Sequence, residues 1–290
     1  MTDIPEPITY DSARETARAK AAESVYGSPL RYYLTQKLPP LIREHCPAVA
    51  DVLDVGCGSG NYAYFLIEAG IEGTYLGVDI DPRQDLSVEL PDKFQGKVQA
   101  MDAHKLSELD RQFDFAISIT AFEHFQNDGQ VSAELASVLK PGGKAVIVVP
   151  ATASYLVYGK HGYRRYTENS LKKLAQAGDF ETVELERIGG FFSFFFHFLW
   201  FFPAHVIRLA GKALLFAISG FNKKKAQRGF PSIFRYLDSL GSRHLKTESG
   251  KATHKKLLLK AASLDGSFPF PAVGYIVVFR KRSEKSAASD

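Results

Sequence analysis

Nine residues, Val52-Leu53-Asp54-Val55-Gly56-Cys57-Gly58-Ser59-Gly60, constrain this chain more than any other stretch. An apolar run passes into three glycines at alternate positions, and a helical pattern follows near Asn61–Ala69. Lacking a Cβ, glycine lets the backbone turn tightly and approach a ligand closely. Strand, glycine turn and helix in this order open an α/β sheet whose ligands sit beyond the carboxyl ends of its strands. The spacing disfavours a dinucleotide. A pyrophosphate turn calls for G-x-G-x-x-G, whereas Asn61 holds the third position here and Gly60 comes one residue early.

Downstream, short apolar runs alternate with helical stretches, which predicts a mostly parallel sheet flanked by helices. Strands are expected at Asp51–Val55, Thr74–Val78, Lys97–Met101, Phe113–Ile119, Lys144–Val149 and Glu181–Ile188. Helices are expected near Asn61–Ala69, Asp128–Leu139 and Thr167–Ala177, and Leu30–Cys46 reads as an amphipathic helix interrupted at Pro39–Pro40. The alternation stops after residue 188 and resumes at Val273–Arg280 (VGYIVVFR), a β-branched and aromatic strand. Four regions follow: a polar, helical segment 1–29, a sheet domain over 30–188 and 272–281, an insertion over 189–271, and a frayed tail 282–290.

Two acids stand at strand ends. Asp79 lies 23 residues after Gly56, where a carboxylate can accept from both hydroxyls of a ribose or cap a helix before Pro82. Asp102 ends the third strand and suits either an adenine amino group or a turn. Taken in order, LDVGCGSG, GVDI, MDA, the strand ending near FEH, and LKPGG resemble the motifs of class I S-adenosylmethionine-dependent methyltransferases, particularly the branch that modifies small molecules and lipids. The resemblance covers about residues 30–188 and 272–281. It implies a Rossmann-like, seven-stranded, mostly parallel α/β sheet with helices on both faces, its seventh strand antiparallel between the fifth and sixth. It also implies S-adenosyl-L-methionine as cofactor. Gly56, Gly58 and Gly60 would hold its methionine and ribose end, and Asp54 would orient the turn and the methionine amino group. Asp79 would take the ribose hydroxyls, Ile80 one face of adenine, and Asp102 with the Ala103 amide the adenine edge.

Methyl transfer to a sulfonium-activated carbon needs chiefly alignment of the reactants, and a hydroxyl acceptor also needs a base, for which histidine is well matched. His124, after the fourth strand, is the first candidate base; capping the next helix is its alternative role. His161 is the second. Quinol-modifying relatives hold a metal with two acids and this histidine, but Thr120 stands where the first acid belongs, so no metal is expected. In Arg164-Arg165-Tyr166-Thr167, the threonine suits a helix N-cap with Glu168 behind it. The resemblance puts this string beside the acceptor pocket, making Arg164, Arg165 and Tyr166 candidate substrate contacts. A guanidinium fork fits a carboxylate or phosphate, and surface ion pairing is the alternative.

Composition excludes wholesale disorder: of 290 residues, 45% are hydrophobic and 23% charged. Two cysteines exclude a disulfide framework or a four-thiolate zinc site. The net charge of +4 conceals a polarity, because residues 190–270 carry 13 Lys and Arg against three acids while the remainder carries 23 against 29. Gly190–Pro203, in the basic stretch, packs in eight of the 22 Phe and the only Trp. Burying each Phe is worth about 2 kcal/mol. A transmembrane span, a soluble cap or homodimer contact, and an interfacial helix pair all fit such a segment. If VGYIVVFR rejoins the sheet, a lone span is excluded, and a shallow hairpin at Pro203 with Lys223-Lys224-Lys225 on anionic headgroups is expected. The expected partners are therefore an anionic membrane surface, through 190–225, and a small or lipid-linked acceptor, methylated on oxygen. A non-catalytic membrane scaffold and a soluble enzyme with a dimerising insert are the rivals. No nucleic acid is expected, since the Phe block lacks the polar alternation of a groove. The polar start has no basic-then-apolar signal, which predicts a cytoplasmic protein bound peripherally to the inner face of the membrane.

Overall fold

Strand residues on both faces of this sheet are apolar, as a sheet covered on both sides requires. Val146 and Val148 join one buried cluster while Ala145, Ile147 and Val149 join the other, and Ile276 and Val278 alternate with Val277 and Phe279 in the same way. The computed structural model describes residue 15 and residues 29–82, 90–158, 162–218, 248–266 and 271–283. The segment expected at 1–28 (residue 15 apart), His161, the lysine run 223–225 and the tail beyond 283 lie outside the described residues.

The first compact unit takes in Leu30–Ile188 and the chain from Ala272. It opens with α1 (Pro29–His45), β1 (Val49–Val55), α2 (Ala63–Ala69), β2 (Glu72–Asp79) and β3 (Phe94–Ala100). A 3₁₀ segment, Ala103–Leu109, leads to β4 (Phe113–Ile119), a 3₁₀ turn Phe122–His124, α3 (Asp128–Val138) and β5 (Leu139–Pro150). Then come α4 (Ser154–Tyr158), α5 (Glu168–Ala177), β6 (Phe180–Ile188) and, after the insertion, β7 (Gly274–Lys281). The strand order is β3-β2-β1-β4-β5-β7-β6. Strands β1 to β5 pair in parallel, and β7 is antiparallel to both β5 and β6. This is the Rossmann-like topology expected, with the last strand between the fifth and sixth. One face is covered by α1 and α2, the other by the 3₁₀ segment, α3 and α5. Thr167 caps α5 in a reciprocal pair with Ser170, as its position predicts.

Two proline readings are corrected. Helix α1 is not interrupted at Pro39–Pro40; both prolines lie inside it. They forfeit the bonds to the Thr35 and Gln36 carbonyls, while Leu34, Leu38, Leu41 and Ile42 are buried along one stripe, each worth about 2 kcal/mol. The second correction falls in the other unit, Gly189–Pro271. There α6 (Phe191–Ile218) runs through Pro203, so no hairpin forms at that proline. One missing bond costs less than opening a turn whose freed amides and carbonyls would all need partners.

Helix α7 (Glu248–Asp265) packs on α6, with the His254 ring 5.4 Å from that of Phe196 and both His254 and Leu258 buried. Asp265 Oδ1 accepts the Phe192 and Ser193 N–H groups at 2.8 and 3.1 Å, placing a carboxylate at the positive end of α6. Helix α6 exposes Phe191, Phe195, Leu199, Val206, Leu214 and Ile218, between 44 and 63%. Among the described residues no helix is long and apolar enough to cross a membrane.

Candidate functional site

The carboxyl ends of β1, β2 and β3 each deliver an acid to one edge of the sheet. Between β1 and α2, Gly56, Gly58 and Gly60 all take left-handed backbone angles, with φ of +74°, +59° and +71°. At Gly56 a Cβ would lie 2.4 Å from the Ala121 Cβ, so packing as well as conformation forbids a side chain. At Gly58 a Cβ would meet no protein atom within 4 Å, so there is open space beside the turn.

Asp79 fixes this turn from β2. Its Oδ2 accepts the Gly58 N–H at 2.9 Å and its Oδ1 the Asp81 N–H at 3.0 Å. Ile80, the next residue, is 77% exposed, an apolar surface that a flat ring can cover. Asp54 lies beneath the turn, fully buried, with Oδ2 accepting from the Tyr75 hydroxyl at 2.7 Å. Its Oδ1 is buried without a partner. Burial pushes the Asp54 carboxyl up to about 7 against the pull of the Tyr75 bond, and the Asp79 charge adds to the rise. Cys57 is buried between the same two acids and its thiol is pushed far up. Asp102 caps the 3₁₀ segment through the His104 N–H at 3.0 Å, and this bond with the imidazole contact holds it below the usual carboxylate range. Ala103 beside it is buried.

This set of groups fits one kind of ligand. Carboxylates line the turn, and a pyrophosphate would meet repulsion there. An amine, ribose hydroxyls and an adenine amino group are all donors, and a sulfonium is a cation, so these groups of S-adenosylmethionine meet acceptors there. The partnerless Asp54 Oδ1 and the open space beside Gly58 agree with that fit.

Across from the turn, β4 is followed by Thr120, a β-branched residue at φ +55°, a conformation that proteins keep chiefly at functional places. The 3₁₀ turn that follows puts the partly exposed His124 Nε2 4.0 Å from Glu123 Oε1. Glu123 is only 2% exposed, its Oε2 has no partner, and burial pushes its carboxyl up to about 7 despite the charge of Arg165. Sequence reasoning gave Glu123 no role in a metal-free site. Its signal was an acid set inside the apolar stretch Ala121-Phe122-Glu123-His124-Phe125. Among the described residues no three His, Cys, Asp or Glu are grouped to hold a metal ion.

The segment from Gly162 to Tyr166 straps this turn down. Tyr163 N–H donates to the Glu123 carbonyl at 2.7 Å, and a Cβ on Gly162 would collide with that carbonyl at 2.5 Å. Tyr166 is buried, and its hydroxyl contacts the Phe122 carbonyl at 3.0 Å and Asp128 Oδ2 at 2.9 Å. Arg164 pairs with Asp128 and donates to the Gln126 carbonyl at 2.7 Å. Arg165 turns the other way, its guanidinium 4.7 Å above the Tyr155 ring. Tyr155, in α4, and Tyr163, on the strap, are exposed. Tyr155 too went unnoticed in the sequence, since its partner lies ten residues away.

Residues 53–147 match the family model for a methyltransferase domain. A sterol 4-C-methyltransferase of Caenorhabditis elegans is 29% identical over 123 residues, which cover 41% of this chain and 34% of that protein. A chloroplastic tocopherol O-methyltransferase of Arabidopsis thaliana is 28% identical over 134 residues, covering 44% of this chain and 38% of that protein. The chain thus spans little more than a third of the length of these relatives. A solved S-adenosylmethionine-dependent methyltransferase of Archaeoglobus fulgidus aligns with a TM-score of 0.46 at 17% identity, over 94% of this chain and 96% of that one.

Proposed function

We propose that this chain, whose residues 53–147 form a methyltransferase domain of the class I S-adenosylmethionine-dependent family, methylates an apolar, lipid-like hydroxyl acceptor at a membrane surface. The cofactor, when bound, supplies a methyl group carried on a sulfonium centre. The chain's own residues do the rest. Asp54, Asp79 and Asp102 present acceptors to its donor groups, and the glycine turn admits it without a Cβ in the way. His124 takes the proton from the acceptor hydroxyl, with Glu123 behind it; His161 is the alternative base. Arg165, stacked on Tyr155, offers a cation to an anionic part of the acceptor, while Arg164 and Tyr166 hold the turn that carries His124.

The observation that carries the membrane reading is the exposed apolar face of α6. Phe191, Phe195, Leu199 and Val206 share one face at helical spacing, with exposed Ala210, Ala213 and Ala217 beside them, and Leu214 and Ile218 are exposed further along the helix. Such a face is suited to the headgroup boundary of a bilayer. The 13 basic residues of 190–270 suit the anionic lipid of an inner leaflet. Further support comes from connectivity: the chain leaves the sheet at Ile188 and returns at Gly274, which pair with each other at the carboxyl edge where the glycine turn lies. Support for a lipid-like acceptor comes from the relatives, whose names specify a sterol, methylated on carbon, and a tocopherol, methylated on oxygen.

The test is transfer of labelled methyl from S-adenosylmethionine to separated lipid and aqueous fractions of a cell extract, with co-sedimentation on vesicles of phosphatidylglycerol and phosphatidylcholine. Label in a lipid, and pelleting that is lost in Phe195→Asp/Leu199→Asp, are expected. Label confined to a water-soluble product, or a folded protein that ignores anionic vesicles, refutes the reading.

A further inference from the structure

His104 stands between the two halves of the site. Its Nδ1 is 2.7 Å from Asp102 Oδ1, the same oxygen that accepts its backbone N–H. On the other side of the ring, the Asn127 N–H donates to Nε2 at 3.3 Å. A backbone amide can only donate, so Nε2 must accept, and a neutral imidazole then carries its proton on Nδ1, aimed at the Asp102 carboxylate. The two contacts select a single tautomer. Two more reinforce the link: Gln130 Nε2 donates to the His104 carbonyl at 3.1 Å, and the Phe125 ring meets the imidazole edge-on at 6.2 Å.

What these contacts join matters. Asp102 follows β3, and Asn127 lies between the 3₁₀ turn of His124 and α3. In the sheet β3 and β4 are separated by β2 and β1, so no strand pairing links their ends. Phe125, on the same loop as Asn127, also packs within 3.3 Å of the Cβ position of Gly56. The charged groups of the surrounding elements are engaged elsewhere: Lys105 with Glu108, Glu134 with the Ser107 N–H, Asp128 with Arg164 and Tyr166. We propose that His104 is a positioning residue, fixed as the Nδ1–H tautomer, which locks the cofactor-side carboxylate Asp102 to the acceptor-side loop Phe125–Asn127. The inference rests on the reading of Asp102 as a cofactor ligand. The bridge holds Asp102 in its binding orientation and sets the His124 turn in register with it. Glutamine, whose amide offers one donor group and one acceptor, can rebuild both contacts; alanine can rebuild neither.

The test uses the full chain labelled with ¹⁵N-histidine, His104 being assigned by the signals that vanish in His104→Gln. In unliganded protein at mildly alkaline pH, Nδ1 is expected to bear the proton and Nε2 to show the shift of a bare nitrogen. Calorimetric titration with S-adenosylhomocysteine is then expected to give about tenfold weaker binding for His104→Ala and a loss within about threefold for His104→Gln. Thermal midpoints are recorded alongside, because a merely structural role would make affinity follow stability. A proton on Nε2, or His104→Ala binding as tightly as wild type, overturns the inference. Wild-type protein that gives no heat overturns the cofactor reading itself, a different result from wild type that binds and a variant that does not care. Should His104→Ala fail to fold, the nitrogen shifts of wild type decide.

Discussion

Replacing Gly56 and Gly58 by alanine, one at a time, separates what the glycine turn does for folding from what it does for a ligand. Both residues are left-handed, at φ +74° and +59°, which costs an L-residue about 1–2 kcal/mol. Loss of unfolded-state freedom returns about 0.4–1 kcal/mol of that in either variant. The two then diverge. A Cβ at 58 meets nothing within 4 Å, whereas one at 56 lies 2.4 Å from the Ala121 Cβ. Ordinary contact would require Ala121 to retreat by about 1 Å, and that residue is buried at the entry to the His124 turn. Overpacking of this kind costs about 1–3 kcal/mol. Gly58→Ala should therefore lose about 1 kcal/mol and Gly56→Ala about 2–4 kcal/mol in urea unfolding, read at unchanged slope. For binding, the order of interest is reversed. Gly58→Ala, though well folded, should bind S-adenosylhomocysteine at least about tenfold more weakly, because its methyl group projects into the open space beside the turn. Equal destabilisation of the two variants would refute the packing argument, and undiminished affinity in Gly58→Ala would refute the cradle.

Stability should fall as pH rises through the acidic range toward neutrality. Asp54 and Glu123 are each held up to about 7 by burial but titrate near about 4 when unfolded. Between those limits the folded state keeps protons that the unfolded chain releases, so the unfolding free energy declines from pH about 4 to about 7 and then levels. Asp54→Asn and Glu123→Gln should each flatten that decline in urea titrations across the window; slopes parallel to wild type would show that neither group is the source. Asp102, held low, works in the opposite sense, its stabilisation being lost as pH falls below about 4. Tyr166→Phe removes the hydroxyl that meets the Phe122 carbonyl and Asp128. It should cost about 1–3 kcal/mol and speed hydrogen exchange at residues 122–125, and unchanged exchange there would refute the strap.

How far the sequence disclosed the fold depended on how much of each element's pattern was its own. Strand β4 was readable residue for residue, because Phe113–Ile119 is buried nearly throughout and had to be apolar. Strand β3 was expected three residues late, at Lys97, since it is an edge strand with Phe94 as its only fully buried residue and polar side chains over much of its length. Nothing at Gln95 or Gly96 distinguishes a strand from a loop until its pairing with β2 is known. The proline errors in α1 and α6 have a different origin. A local rule against proline was applied to helices whose burial or continuity outweighs one or two missing bonds.

In the site, the acids at strand ends were legible because each sits within a few residues of the backbone turn it serves, as Asp79 does at the end of β2. Roles set by distant partners were not. Arg164 and Arg165 are adjacent, equally charged, and alike to any sequence argument. Their segment is extended, bridging at Tyr166 to Ala151, so successive side chains point to opposite sides. That single geometric fact sends Arg164 to Asp128, 36 residues back, and Arg165 to Tyr155. The first arginine is thereby committed to holding the His124 turn, and the second stands beside an exposed aromatic ring. A cation stacked on a ring and a cation paired with the turn are thus distinguished by one peptide unit. Exchanging either arginine for lysine should separate them: a lysine at 164 can keep the ion pair with Asp128 but not its second bond to the Gln126 carbonyl, while a lysine at 165 loses the planar stack on Tyr155.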